Sequence, residues 1–121
     1  VLPRLESDIY DIFSAIADGT PMPNIKWSDK ATMGFVMASK GYPGDYAKGY
    51  EIDIPETGDV RIFHMGTAMK EGKLVTNGGR VLMVVGSADN LQKAHDKALA
   101  AVESIKCDNL FFRPDIGWRV L

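Results

Sequence analysis

Cysteine is nearly absent. Cys107 is the only one, so no internal disulfide can form, and the lone thiol suits a reducing, cytoplasmic compartment. It sits just past a predicted helix C-terminus, where the dipole opposes a thiolate nucleophile. Histidine is scarce too. Neither His64 nor His95 has a Cys, Asp or Glu at ligand spacing, so no metal site is expected and both read as structural or surface residues. No apolar run approaches the ~18 residues of a membrane span, so no membrane partner is expected, and nothing at the start reads as a signal peptide. Nor is there a basic run. The 14 Lys and Arg and 16 Asp and Glu are mixed along the chain and leave a net charge of −2, so nothing argues for nucleic acid. Gly-x-Ser-x-Gly, Walker A and G-x-G-x-x-G are all missing, and the carboxylates are too scattered for a nucleotide-bound Mg²⁺. No catalytic residue is expected.

What is present is ordinary globular material: 45% apolar and 25% charged residues over 121 positions. That is one domain, long enough to bury roughly two-thirds of its surface. Leu5, Ile9, Ile12, Phe13 and Ile16 share one helical face and predict a helix over 4–17, stopped by Asp18-Gly19. Thr32–Ser39 is apolar on both alternating faces and reads as a buried strand. Ile25–Trp27 and Tyr50–Ile54 are candidates for short strands, the second exposed. Strands are also predicted at Asp59–Met65, at Thr67–Met69 and Leu74–Thr76 around a Glu71-Gly72 turn, at Arg80–Gly86 and at Leu110–Phe112. Asp89–Ile105 is the clearest helix, with Asp89 as its cap, Gln92 in a capping-box position, and Leu91, Ala94, Ala98, Val102 and Ile105 as its inner stripe. Segregated helices and hairpin-connected strands predict an α+β fold, mostly antiparallel, with two flanking helices.

The stretch Phe63–Val81 concentrates the chemistry. Asn77-Gly78-Gly79 is a turn sequence that tolerates positive φ and close backbone approach, and Arg80 follows it directly. A forked cation beside a side-chain-poor bend suits a phosphate or carboxylate. An ordinary hairpin with a solvated arginine has the same sequence. The hairpin carries a second cation, Lys73, at its other end. Arg113–Arg119 ends the chain as a surface lid or, more simply, a tail packed by Phe111, Phe112 and Trp118.

Taken in order, several segments resemble one family. They are VLPRLESD, VMAS with KGYPGDYAKG, FHMGT, GKLVTNGGRVL, DNLQKAHDKALAAVESI and FFRPDIGWRVL, and the similarity they mark runs over essentially the whole chain. Their joint occurrence is similar to the C-terminal domain of phosphoribosylamine–glycine ligase, an ATP-grasp enzyme of purine synthesis. Lys40, Met65 and Met83–Val85 depart from the common pattern without touching the hairpin cations. The resemblance implies a barrel-sandwich-like β structure packed on the ATP-grasp domain of the same parent chain. It implies a parent that joins glycine to 5-phosphoribosylamine with ATP and Mg²⁺ (or Mn²⁺), while this piece carries no cofactor and is inactive alone. It gives Lys73, Gly78, Gly79 and Arg80 a role in binding phosphoribosylamine through its 5-phosphate, with Tyr42–Gly44 lining the same cleft. The chain opens on Val1 and is read as a fragment of that larger enzyme. A non-catalytic docking module, or an accessory domain of another ATP-grasp enzyme, is the alternative.

Overall fold

The computed structural model describes residues 1–121. In chain order its elements are α1 (Ile9–Asp18), β1 (Ala31–Ser39), β2 (Arg61–His64), β3 (Thr67–Lys70), β4 (Lys73–Thr76), β5 (Arg80–Ala88), α2 (Leu91–Ser104) and β6 (Leu110–Phe111). Four strands form one antiparallel sheet in the order β2–β5–β1–β6. β3 and β4 form a separate antiparallel hairpin. The α+β expectation holds, with two helices. The sheets do not close into a barrel, so the barrel-like description fits only loosely.

The long central strands set the core. In the β1–β5 register Met33 faces Gly86, Phe35 faces Val84 and Met37 faces Leu82. Side chains alternate along a strand, so these pairs share one sheet face. α2 lies across that face. Phe35, Leu82 and Val84 are fully buried there, each contributing about 1.5–3 kcal/mol of burial. The Phe35 ring packs against His95 (centroids 5.3 Å apart) and edge-on against Phe112 (6.2 Å). His95 is therefore a core-facing helix residue, and its Nδ1 lies 3.1 Å from the Asp96 carboxylate. The helix sits close because its contact stripe is small. A Cβ on Gly86 would land on the Ala94 carbonyl oxygen and 2.9 Å from the Ala98 nitrogen.

Helix boundaries differ from the expected ones at both N-termini. α1 starts at Ile9 rather than residue 4. Asp8 takes extended backbone, and its carboxylate accepts the Tyr10 N–H at 2.8 Å. Residues Leu2–Arg4 form a 3-10 turn, and Leu5 makes a bridge with Trp27, so the Ile25–Trp27 strand is reduced to one bridging residue. Gly19 ends α1 at φ 64°, as expected for a glycine stop. The apolar face of α1 is mostly bare: Ile12 and Ala15 are buried, but Tyr10, Phe13 and Ile16 are exposed. α2 is capped by Asn90, not Asp89. The Asn90 side chain accepts the Lys93 N–H at 2.9 Å, and Gln92 bonds Asp96 one turn on instead of closing a capping box.

The segment at 50–54 also departs from expectation. It makes single bridges at Glu51–Val75 and Asp53–Lys106, and Ile52 is buried rather than exposed. This strip joins β4 to the end of α2 and fixes the hairpin against the main body.

Candidate glycine–arginine bend

The bend between β4 and β5 is held from several directions. Thr76 is buried at its base; its N–H donates to the Tyr50 carbonyl (2.8 Å) and its hydroxyl accepts the Tyr50 N–H (3.1 Å). The Thr76 carbonyl accepts the Gly49 N–H at 2.7 Å. The Asn77 N–H donates to Gly66 O at 2.8 Å. Ser39, fully buried at the end of β1, reaches the bend twice. Its N–H donates to Gly79 O and its hydroxyl to Gly78 O, both at 2.7 Å.

Neither Gly78 nor Gly79 has a positive φ, so left-handed backbone is not why glycine stands there. Crowding is. A Cβ on Gly78 would meet Gly66 Cα at 3.1 Å, and one on Gly66 would meet Gly78 Cα at 2.9 Å. A Cβ on Gly79 would run into the Tyr42 ring, 2.7 Å from Cε2, and come within 3.2 Å of Tyr46 Cε1. Two chain segments cross here with no room for a side chain, and the loop 40–49 lays Tyr42 and Tyr46 (centroids 6.4 Å apart) over the bend.

Arg80 leaves this crossing exposed. The ion pairs of the chain are Lys73–Glu51, His95–Asp96, Lys97–Asp59 and Arg113–Asp115; Arg80 belongs to none. Its guanidinium is free for an incoming oxyanion. Lys73 stands at the opposite end of β4, where it pairs across the hairpin with Lys70, and its Nζ donates to Glu51 at 2.8 Å. The structure thus gathers Gly78, Gly79 and Arg80 at one point, with the Tyr42 ring against Gly79. Lys73 lies three strand residues away from Thr76 and is already partnered.

Ser39, Gly66 and Tyr46 went unassigned from sequence. Ser39 carried a signal: a polar residue at the buried end of an apolar strand needs a hydrogen-bond partner. Gly66 carried a weaker one, a glycine between two predicted strands, β2 and β3, where a neighbouring backbone can approach closely.

The perturbed ionisable groups lie outside the bend. Lys97 bonds Asp59 at 2.6 Å and holds its carboxyl below the usual range. Hydrogen bonds from His95 and Gln92 do the same for Asp96. Arg113 grips Asp115 through two bonds (3.0 and 2.6 Å), lowering the carboxyl and raising the guanidinium, which closes the tail on itself. No three His, Cys, Asp or Glu side chains come together in a group able to hold a metal ion. No helix is long and apolar enough to cross a membrane.

The family description "Phosphoribosylglycinamide synthetase, C domain" matches residues 32–119, which takes in β1 from Thr32 onward, the bend and the tail to Arg119. The chain belongs to this family. It is 43% identical over 123 residues to phosphoribosylamine–glycine ligase of Halalkalibacterium halodurans, spanning all of this chain and 28% of that protein. It is 44% identical over 126 residues to the trifunctional purine biosynthetic protein adenosine-3 of Bos taurus, of which it spans 12%. The crystal structure of phosphoribosylamine–glycine ligase from Thermotoga maritima superposes with a TM-score of 0.78 at 34% identity, covering 88% of this chain and 27% of that one. The chain therefore corresponds to less than a third of the length of these relatives.

Proposed function

We propose that this chain is the C-terminal domain of a phosphoribosylamine–glycine ligase, and that its glycine–arginine bend holds the 5-phosphate of phosphoribosylamine. The parent joins glycine to that amine at the expense of ATP, in the cytoplasm. ATP and its Mg²⁺ or Mn²⁺ belong to the ATP-grasp domain of the same parent chain, which this domain packs against. The observation that carries the assignment is the free Arg80 guanidinium beside a backbone crossing with no Cβ. A phosphate monoester is a dianion with three acceptor oxygens, and a planar fork matches two of them. Each such contact is worth about 1.5–3 kcal/mol.

The domain's part in catalysis is positioning. It supplies no nucleophile, acid or base. Holding the phosphate fixes the far end of the ribosylamine, so its amine meets the activated glycine in one orientation. Lys73 would take part by releasing Glu51 and swinging toward the phosphate.

Charge reversal tests this. In the intact ligase, Arg80→Glu removes the fork and sets a carboxylate against a dianion. KM for phosphoribosylamine is expected to rise about 100-fold, some 2.7 kcal/mol, with KM for glycine and ATP little changed. An unchanged KM for phosphoribosylamine would sink the assignment.

The bare α1 face favours a second role that is compatible with the first. Tyr10, Phe13 and Ile16 form an exposed apolar stripe that a docked ATP-grasp domain would cover.

A further inference from the structure

The bend contains more than an arginine. Gly78 O and Gly79 O both point at Ser39, one to its hydroxyl and one to its N–H. A trans peptide sets its N–H opposite its C=O. The Gly79 and Arg80 N–H groups are therefore turned together to the side away from Ser39. Successive N–H groups aimed the same way make a concave anion cradle. The Gly78 and Gly79 N–H groups donate to no acceptor within the chain, although Gly79 is itself a buried residue. Buried backbone donors are almost always paired, so one left over at a glycine crossing is poised for an external acceptor.

We infer that Ser39 is a positioning residue: by pinning both glycine carbonyls it aims the Gly79 amide, next to Arg80, at an oxyanion of the phosphate-monoester class. The inference rests on the phosphate reading of the bend given above. It adds a neutral donor that no charge pattern would reveal and a residue that touches no ligand.

The chemistry favours a monoester over a carboxylate. A carboxylate offers two oxygens, which the Arg80 fork alone can satisfy. A phosphate leaves a third oxygen unmatched, and the amide cradle supplies its donor. Removing the Ser39 hydroxyl frees the Gly78–Gly79 peptide to rotate. The donor is then lost part of the time while the arginine stays in place.

The test uses the intact ligase in four forms: wild type, Ser39→Ala, Arg80→Ala and Asn90→Ala. The last loses a helix cap far from the bend and controls for simple destabilisation. Ser39→Ala is expected to raise KM for phosphoribosylamine, and Kd for ribose 5-phosphate, by about tenfold. Its kcat should stay within about twofold, because the lost contact serves binding. Asn90→Ala should lower Tm without moving either constant. In ¹⁵N-glycine-labelled protein the Gly79 amide should shift on adding ribose 5-phosphate in wild type and not in Ser39→Ala. If Arg80→Ala weakens binding and Ser39→Ala does not, the Ser39 inference falls and the phosphate reading stands. If neither variant changes binding, both fall. Loss of stability in Ser39→Ala with unchanged KM would make Ser39 a purely structural residue and overturn the inference.

Discussion

Gly79→Ala isolates the physical reason for glycine at the bend. Gly79 does not sit in left-handed backbone, so alanine suffers no φ penalty there. Taken alone, the substitution would stiffen the unfolded chain and stabilise the protein by about 0.4–1 kcal/mol. The added methyl, however, would run into the Tyr42 ring, 2.7 Å from Cε2. That ring packs against Tyr46 and is only partly exposed, so moving it disturbs the 40–49 loop. Overpacking of this kind costs about 1–3 kcal/mol. The clash outweighs the entropy gain, and the net expected loss is roughly 1–2 kcal/mol. Urea denaturation of wild type, Gly79→Ala, Tyr42→Ala and the double variant reads the effect. If the clash is the cause, the double variant recovers most of the Gly79→Ala loss, giving a favourable coupling of about 1 kcal/mol. Gly72→Ala is the contrasting control. Nothing lies within 4 Å of its Cβ position, but its φ is 78°, so it should lose stability that no neighbour truncation restores. A neutral or stabilising Gly79→Ala, or a loss additive with Tyr42→Ala, would refute the crowding argument.

Other substitutions probe the frame that holds the bend. Gly86→Ala should cost about 3 kcal/mol or more, because its methyl would meet α2 backbone that cannot swing aside; a thermal melt shows it. Phe35→Ala should cost about 3–5 kcal/mol in denaturant unfolding, since the ring is fully buried between α2 and the sheet. Asn90→Ala removes the α2 cap and should cost about 1 kcal/mol, whereas Asp89→Ala should be close to neutral; equal effects would reinstate Asp89 as the cap. Asp59 has its carboxyl lowered by Lys97, so the pair stabilises the fold above the carboxylate's ordinary pKa and stops doing so as pH falls through the lowered folded value. Asp59→Asn should therefore flatten the acid limb of the stability–pH curve and leave pH 7 stability little changed, the pair being exposed.

The legible parts of this molecule were those set by period and by joint motif order. β1 and β5 announce themselves because strands buried on both faces carry unbroken apolar runs. α2 shows its small inner stripe at helical spacing, and Glu71-Gly72 marks a hairpin turn that the backbone makes with two positive φ angles. Boundaries were less legible because capping is decided by which side chain reaches an amide, and Asp8 and Asn90 reach theirs where the periodic pattern does not point. The bend was legible in identity but not in cause. Asn-Gly-Gly reads as positive-φ turn material, and the real constraint, Gly78 crossing Gly66 and Gly79 beneath the Tyr42 ring, depends on residues 12 and 37 positions away. Long-range contact of that kind leaves no periodic trace. The same holds for the pairing of cations. Spacing put Lys73 and Arg80 at the two ends of one hairpin, and the family resemblance implied a shared phosphate. The structure gives Lys73 a partner in Glu51, so its recruitment must break an existing ion pair, whereas Arg80 has none to break. An exposed pair of that kind is worth about 0.2–1 kcal/mol, less than one charge-assisted contact to a dianion, so under the proposed phosphate reading the exchange would be favourable. Glu51→Gln in the intact ligase should then lower KM for phosphoribosylamine modestly if Lys73 joins the site. If Lys73 plays no part there, Glu51→Gln should leave that KM unchanged while Arg80→Glu still raises it.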